Sequence, residues 1–254
     1  MFPVIFQIGP LKIYSYGLMI ALGFIVTGVL LRRELRRNGL PPNLGDSIIM
    51  GAVLGGIAGA KLYSVIEGWS YLGVASLRTF FSGSGLVWYG GFTGGAIAVL
   101  IIIWLRRAPM VRTMDYIAPL LILGYAFGRM GCFLSGDGDY GPPTNLPWGM
   151  AFPNGIVPTL ERVHPTPLYE IGLSLMIFAF LWKLRRRNLP TGCIFGIYLV
   201  LAGAERFIME FWRLTPIVAL SMTLAQIISI ILMIVGIGMT FYVWKAPVLN
   251  RLRI

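Results

Sequence analysis

Long apolar runs alternate along this chain with short polar segments, and each run approaches the length a helix needs to cross a bilayer. About 20 mostly apolar residues span the hydrocarbon as a helix. The pattern predicts seven such helices: about Tyr16 to Leu31, Asp46 to Ile66, Leu86 to Leu105, Tyr116 to Leu134, Leu168 to Trp182, Gly192 to Phe211 and Leu224 to Trp244. The fold class expected is therefore all-α, a polytopic helical bundle of about seven transmembrane helices forming one domain over residues 1–254.

The odd-numbered spans exit into basic clusters: Arg32-Arg33…Arg36-Arg37, Arg106-Arg107…Arg112, Lys183…Arg185-Arg186-Arg187, and Lys245…Arg251…Arg253. Cytoplasmic ends of membrane helices collect positive charge, so the N-terminus is expected outside and the C-terminus in the cytoplasm. The outer segments are then Met1 to Ser15, Glu67 to Gly85, Ser135 to Pro167 and Trp212 to Thr223. The segment from Ser135 to Pro167 is long and rich in Gly, Pro, Asp and Asn, which marks it as irregular and site-forming.

Composition agrees with a membrane location. Of 254 residues, 57% are hydrophobic and 12% charged, against about 25% charged in a soluble domain. The net charge of +11 would suggest nucleic acid in a soluble protein. Here juxtamembrane placement accounts for it as topology signal and contact with anionic lipid, so no nucleic-acid partner is expected. The N-terminus lacks a basic n-region, so no cleavable signal peptide is expected. Transporters often carry internal repeats, and none is evident here. Cys132 and Cys193 fall at opposite faces in this topology, so a mutual disulfide is not expected.

The charges left inside the spans carry the candidate chemistry, because ionisable groups in a bilayer are costly and usually functional. Arg129 lies late in the fourth span, within Gly128-Arg129-Met130-Gly131-Cys132-Phe133. Arg206 and Glu210 are four apart on the sixth and share a face; Glu205 adjoins them and Arg213 is one turn beyond Glu210. These residues either lock the bundle as ion pairs or line a pocket for a phosphate head group, for which guanidinium is well shaped. His164, the single histidine, stands before Pro165-Thr166-Pro167-Leu168-Tyr169-Glu170 as either a structural hydrogen-bonder or a base.

Other motifs are less specific. Gly51, Gly55 and Gly59, and Gly90, Gly91, Gly94 and Gly95, have the spacing that lets helices pack closely or wall a lipid cavity. Gly136-Asp137-Gly138-Asp139-Tyr140-Gly141 spells a dinucleotide fingerprint, but no strand–helix unit surrounds it, so a tight polar turn is expected. Asp137 and Asp139 lack the other ligands of a calcium loop. No histidine cluster suited to metal and no GxSxG nucleophile elbow is present.

Taken in order, these segments resemble the phosphatidylglycerol–prolipoprotein diacylglyceryl transferases of bacterial inner membranes, over nearly the whole length. The resemblance rests on Ile8-Gly9-Pro10 with Tyr16-Gly17-Leu18-Met19, Gly59-Ala60-Lys61, Tyr89-Gly90-Gly91, Gly128 to Gly136 closing at Tyr140-Gly141, His164 to Glu170, and Arg206-Phe207…Glu210-Phe211…Arg213. The chain departs from the family at Tyr89, where a histidine precedes Gly-Gly, at Cys132 in place of Asn, at Ala202 in place of Tyr, and at Tyr14 in place of His.

The resemblance implies a bundle with a lateral opening to lipid. It also implies transfer of diacylglycerol from phosphatidylglycerol to the lipobox cysteine thiol of a prolipoprotein signal peptide, without metal or cofactor. Its catalytic candidates are Arg129, Arg206, Tyr89, His164 and Glu210; its substrate-binding candidates are Arg129, Arg206, Arg213, Tyr16, Gly90, Gly91 and Gly141. Phosphatidylglycerol, a prolipoprotein signal peptide and membrane lipids are the implied partners, and a multi-pass protein of the bacterial inner membrane the implied setting. The departures leave two other readings open: the same lipid donor with another acceptor, or a non-catalytic lipid-binding protein.

Overall fold

A computed structural model describes residues 1–9, 11–72, 87–219 and 221–251. Pro10, Gly85, Leu86 and Arg253, all used in the sequence argument, lie outside the described residues. The chain forms β1 (Val4–Ile8), β2 (Leu11–Tyr14), α1 (Ser15–Arg37), α2 (Pro42–Leu72), α3 (Trp88–Leu105) and α4 (Met110–Ser135). There follow β3 (Met150–Phe152), β4 (Thr159–Val163), α5 (Thr166–Leu184), α6 (Cys193–Met209), β5 (Ile217–Ala219), β6 (Met222–Thr223) and α7 (Leu224–Arg251), with a 3-10 turn over Glu210–Trp212. Among the described residues, α1, α2, α4, α5 and α7 are long and apolar enough to cross a membrane, and α3 is a shorter apolar helix. This is an all-α polytopic membrane protein.

Each expected span appears as a helix, with different ends. The α1 helix continues beyond Leu31 through its arginine cluster because Leu31, Glu34 and Leu35 form a buried stripe at helical spacing. The sixth span does not run unbroken to Phe211: α6 stops at Met209 and tightens into the 3-10 turn. Three two-stranded antiparallel hairpins, β1–β2, β3–β4 and β5–β6, occupy segments whose pattern gave no strand signal.

The chain divides into two compact units. One comprises Gly28–Thr113 and is built on α2 against α3. Here the glycine stripes pack helix on helix. A Cβ on Gly59 would lie 2.3 Å from the Gly90 carbonyl oxygen, and one on Gly94 would lie 2.4 Å from that of Gly55. Such contact between backbones is open only to residues without a side chain.

The other unit comprises Met1–Thr27 and Met114–Ile254. Its core joins Ala118 and Ile122 of α4, Ile177 and Leu181 of α5, and Ile194 of α6. Asp115 of α4 accepts the backbone N–H groups of Gly192 (2.6 Å) and Phe195 (2.8 Å), so a carboxylate from one helix caps the N-terminus of the next. Thr223 and Gln226 form a reciprocal capping box that starts α7. At the other end of α4, the Phe2 N–H donates to Leu134 O at 3.0 Å and ties the N-terminal hairpin to the helix end. Tyr140 stacks on the fully buried Phe152, with ring centroids 4.2 Å apart, and Phe133 meets Phe152 edge-on. These contacts pack the irregular segment after α4 against β3.

Candidate active site

Glu170 is the centre of the charged cluster. It opens the first turns of α5, where Pro165 precedes the helix and Pro167 lies in its first turn, a position that suits proline. Its side chain is fully buried, a setting a carboxylate tolerates only when paired. The Tyr125 hydroxyl donates to it at 2.9 Å, and Arg129 Nε of α4 lies 3.1 Å away. Arg213 Nη1, just past the 3-10 turn, lies at 3.4 Å, and Arg206 Nη1 of α6 at 3.8 Å. The Arg129 guanidinium also packs over the Tyr125 ring, 4.8 Å from its centroid.

Two further carboxylates complete the cluster. Glu210, also fully buried, pairs with Arg206 Nη2 at 2.7 Å and accepts the Thr215 hydroxyl. The helical spacing of Arg206 and Glu210 is thus used as the sequence suggests, and Glu210 orients Arg206, not Arg213. Asp139 takes Arg129 on one carboxylate oxygen and Arg213 on the other. Three guanidinium groups are balanced here by three carboxylates. Glu205 is buried beside them and accepts the Ser174 hydroxyl at 2.5 Å. Among the described residues Arg206 Nη1 has no hydrogen-bond partner, an unused donor within the cluster.

Beyond Arg129, Cys132 lies with its Sγ 3.9 Å from Arg129 Nη1. Asp137 is half-buried, and that burial raises its carboxyl above the ordinary carboxylate range. Donor atoms of Cys132, Asp137 and Asp139 lie within 4.8 Å of one another, close enough to suggest a metal. The two arginines already on Asp139 make the locality unfavourable for a cation. A cleft of about 420 Å³ opens beside Asp137, lined also by Pro3, Tyr14, Tyr16, Gly17, Ser135 and Ile156.

The structure brings Arg129, Arg206, Glu210 and Arg213 together and places Tyr16 on the cleft. His164 has its own side-chain partner: its Nδ1 lies 3.2 Å from the Tyr169 hydroxyl, which itself accepts the Trp148 indole N–H at 2.7 Å. Gly141 is a packing position, where a Cβ would lie 2.4 Å from Trp212 O. Tyr89 opens α3 in the other unit and is 45% exposed, with Gly90 and Gly91 facing α2. Sequence reasoning assigned no role to Glu170, Tyr125 or Asp139. Glu170 alone carried a usable signal, as an acid near the start of an apolar span.

A family model described as prolipoprotein diacylglyceryl transferase matches residues 3–242. A phosphatidylglycerol–prolipoprotein diacylglyceryl transferase of Clostridium tetani is 34% identical over 238 residues, covering 92% of this chain and 95% of that relative. Proteins of the same name from Cupriavidus metallidurans and Trichormus variabilis are 34% and 35% identical, each covering 96% of this chain and 93% and 91% of their own lengths. The chain belongs to the prolipoprotein diacylglyceryl transferase family, a family of transferase enzymes.

Proposed function

We propose that this chain transfers the diacylglyceryl group of phosphatidylglycerol to the lipobox cysteine thiol of a prolipoprotein signal peptide, acting as one transferase domain in the bacterial inner membrane. The observation that carries this reading is the convergence of Arg129, Arg206 and Arg213 on Glu170. Three guanidinium groups held at one place suit a phosphodiester, whose charge must be neutralised as it becomes a leaving group.

The reaction balances simply. The thiol gives up its proton, the sulfur forms a C–S bond to the glyceryl carbon, and the C–O bond to phosphate breaks. Glycerol phosphate leaves with the electron pair. A free thiol titrates near ~8.5, so a base or a positive field must favour thiolate. Arg129 and Arg206 bind the phosphate and stabilise the charge that develops on it, with Arg206 held by Glu210. Arg213 adds a third contact. Tyr16 lines the cleft that admits lipid or peptide. Tyr89 acts as a hydrogen-bond donor, not as a base. His164 is the conventional base candidate, with its ring nitrogen near the Tyr169 hydroxyl. Gly90, Gly91 and Gly141 act by letting backbone approach closely.

The test joins complementation with chemistry. The chain is expected to rescue a bacterium depleted of its own diacylglyceryl transferase. Purified Arg129→Lys and Arg206→Lys variants, which keep charge but lose the bidentate fork, should insert normally and lose most phosphatidylglycerol turnover. Wild-type turnover in both would overturn the phosphate assignment. Failure of rescue with retained phosphatidylglycerol turnover would point to another acceptor.

A further inference from the structure

The arginines of the cluster that is read as a phosphate site are already matched by carboxylates. Arg129, Arg206 and Arg213 are matched by Asp139, Glu170 and Glu210. An incoming phosphodiester would bring excess negative charge into a largely buried place, where unbalanced charge is costly. One carboxylate has to move for the anion to enter.

The three carboxylates are not equivalent. Glu170 and Glu210 have fully buried side chains on helical backbone, and each also accepts a hydroxyl, from Tyr125 and Thr215 respectively. Asp139 lies on the irregular segment after α4, and its side chain is 30% exposed. Its carboxylate oxygens have the two arginines as partners, Arg129 on one oxygen and Arg213 on the other. That is the arrangement in which two non-bridging oxygens of a phosphate would meet the same pair. The backbone at this point is fixed separately: the Thr166 hydroxyl donates to Asp139 O, and the Asp139 N–H donates to Asp137 Oδ1. The carboxylate is thus free to rotate away while the backbone stays anchored.

We propose that Asp139 is a positioning residue whose carboxylate stands in for the donor lipid's phosphate, holding Arg129 and Arg213 in a fork and giving way when the phosphate arrives. It rests on the reading that phosphatidylglycerol binds by its phosphate at these arginines. It makes Asp139 a competitor for substrate, and that is the opposite of what a merely structural ion pair would do.

The experiment separates KM from kcat for phosphatidylglycerol in the purified full chain, and measures inhibition by glycerol phosphate. Asp139→Asn removes the competing charge at nearly constant shape. The expected result is a KM and an inhibition constant both lower by on the order of fivefold, with kcat equal or reduced. Asp139→Ser is run in parallel, so that a folding defect in one variant leaves the other to decide, and Asp139→Glu, which keeps the charge, should not lower KM. Arg129→Lys and Arg213→Lys serve as references. If they raise KM while both neutral Asp139 variants leave it unchanged or raise it, the stand-in role is overturned and the phosphate site stands. If neither lysine variant changes KM, the phosphate site itself fails, and the stand-in role with it.

Discussion

Tyr89 and Asp137 are the individual residues whose behaviour says most about the chemistry. Tyr89 stands before Gly90-Gly91, where the family resemblance implies a histidine. A phenol can donate one hydrogen bond but rarely serves as a base at neutral pH. Tyr89→Phe should therefore lower phosphatidylglycerol turnover only modestly, whereas loss of a true general base costs on the order of a hundredfold or more. Turnover by purified Tyr89→Phe, set beside Tyr89→His, is the measurement; near-complete loss in the Phe variant would assign the proton transfer to Tyr89. Asp137 is read through pH. Burial raises its carboxyl above the ordinary value, so folding favours the protonated form. Its contribution to stability is largest below the unfolded value and falls as pH rises through the higher folded value. Asp137→Asn should therefore raise the thermal midpoint in detergent at pH 7, by an amount that shrinks toward pH 4; a gain independent of pH would contradict this. At this scale the sequence exposed Arg129 and Arg206, because a charge inside an apolar span is conspicuous, and the pairing of Arg206 with Glu210, because a helix fixes that contact. It did not expose Asp139, whose arginine partners come from α4 and from beyond α6.

Between elements, what is legible depends on how local the cause is. Apolar length alone located the helices, and glycines every four residues located the face on which α2 meets α3. The continuation of α1 past its arginines was not legible, since it follows from the burial of Leu31, Glu34 and Leu35, which appears only in the folded chain. The cap on α6 was hidden for the same reason, because Asp115 reaches Gly192 only after α4 and α6 have packed. The short hairpins lacked the alternation that announces a strand. The α2–α3 contact allows a direct test. A Cβ on Gly59 would lie 2.3 Å from Gly90 O and 2.8 Å from the Gly94 Cα, so the helices must separate to accept it. Gly59→Ala should destabilise the folded protein by about 1–3 kcal/mol, the usual cost of overpacking. Gly172→Ala in α5 meets nothing within 4 Å and should be neutral or slightly stabilising through helix propensity. Thermal midpoints of the two variants in the same detergent decide it; an unchanged Gly59→Ala midpoint would refute the close approach.

For the molecule as a whole, the charge pattern and the proposed chemistry make a joint demand. The basic clusters follow α1, α3, α5 and α7 or lie within their last turns, and the elements between them supply the opposite ends. If those clusters mark the cytoplasmic face, Arg129, Glu170, Arg206 and Arg213 all fall toward the outer face. Arg129 lies near the C-terminal end of α4, Glu170 in the first turns of α5, Arg206 in the last turn of α6, and Arg213 beyond it. Helices α4, α5 and α6 bring these ends together by alternating in direction. The orientation itself rests on the positive-inside rule. Single cysteines introduced in a cysteine-free background at Arg106 and at Arg185 should be shielded from a membrane-impermeant thiol reagent in intact cells and labelled once the membrane is opened. A cysteine at Trp148, 55% exposed on the segment after α4, should label in intact cells. Labelling of positions 106 and 185 from outside would overturn the orientation with N-terminus out and C-terminus in, and would move the proposed phosphate site to the cytoplasmic leaflet.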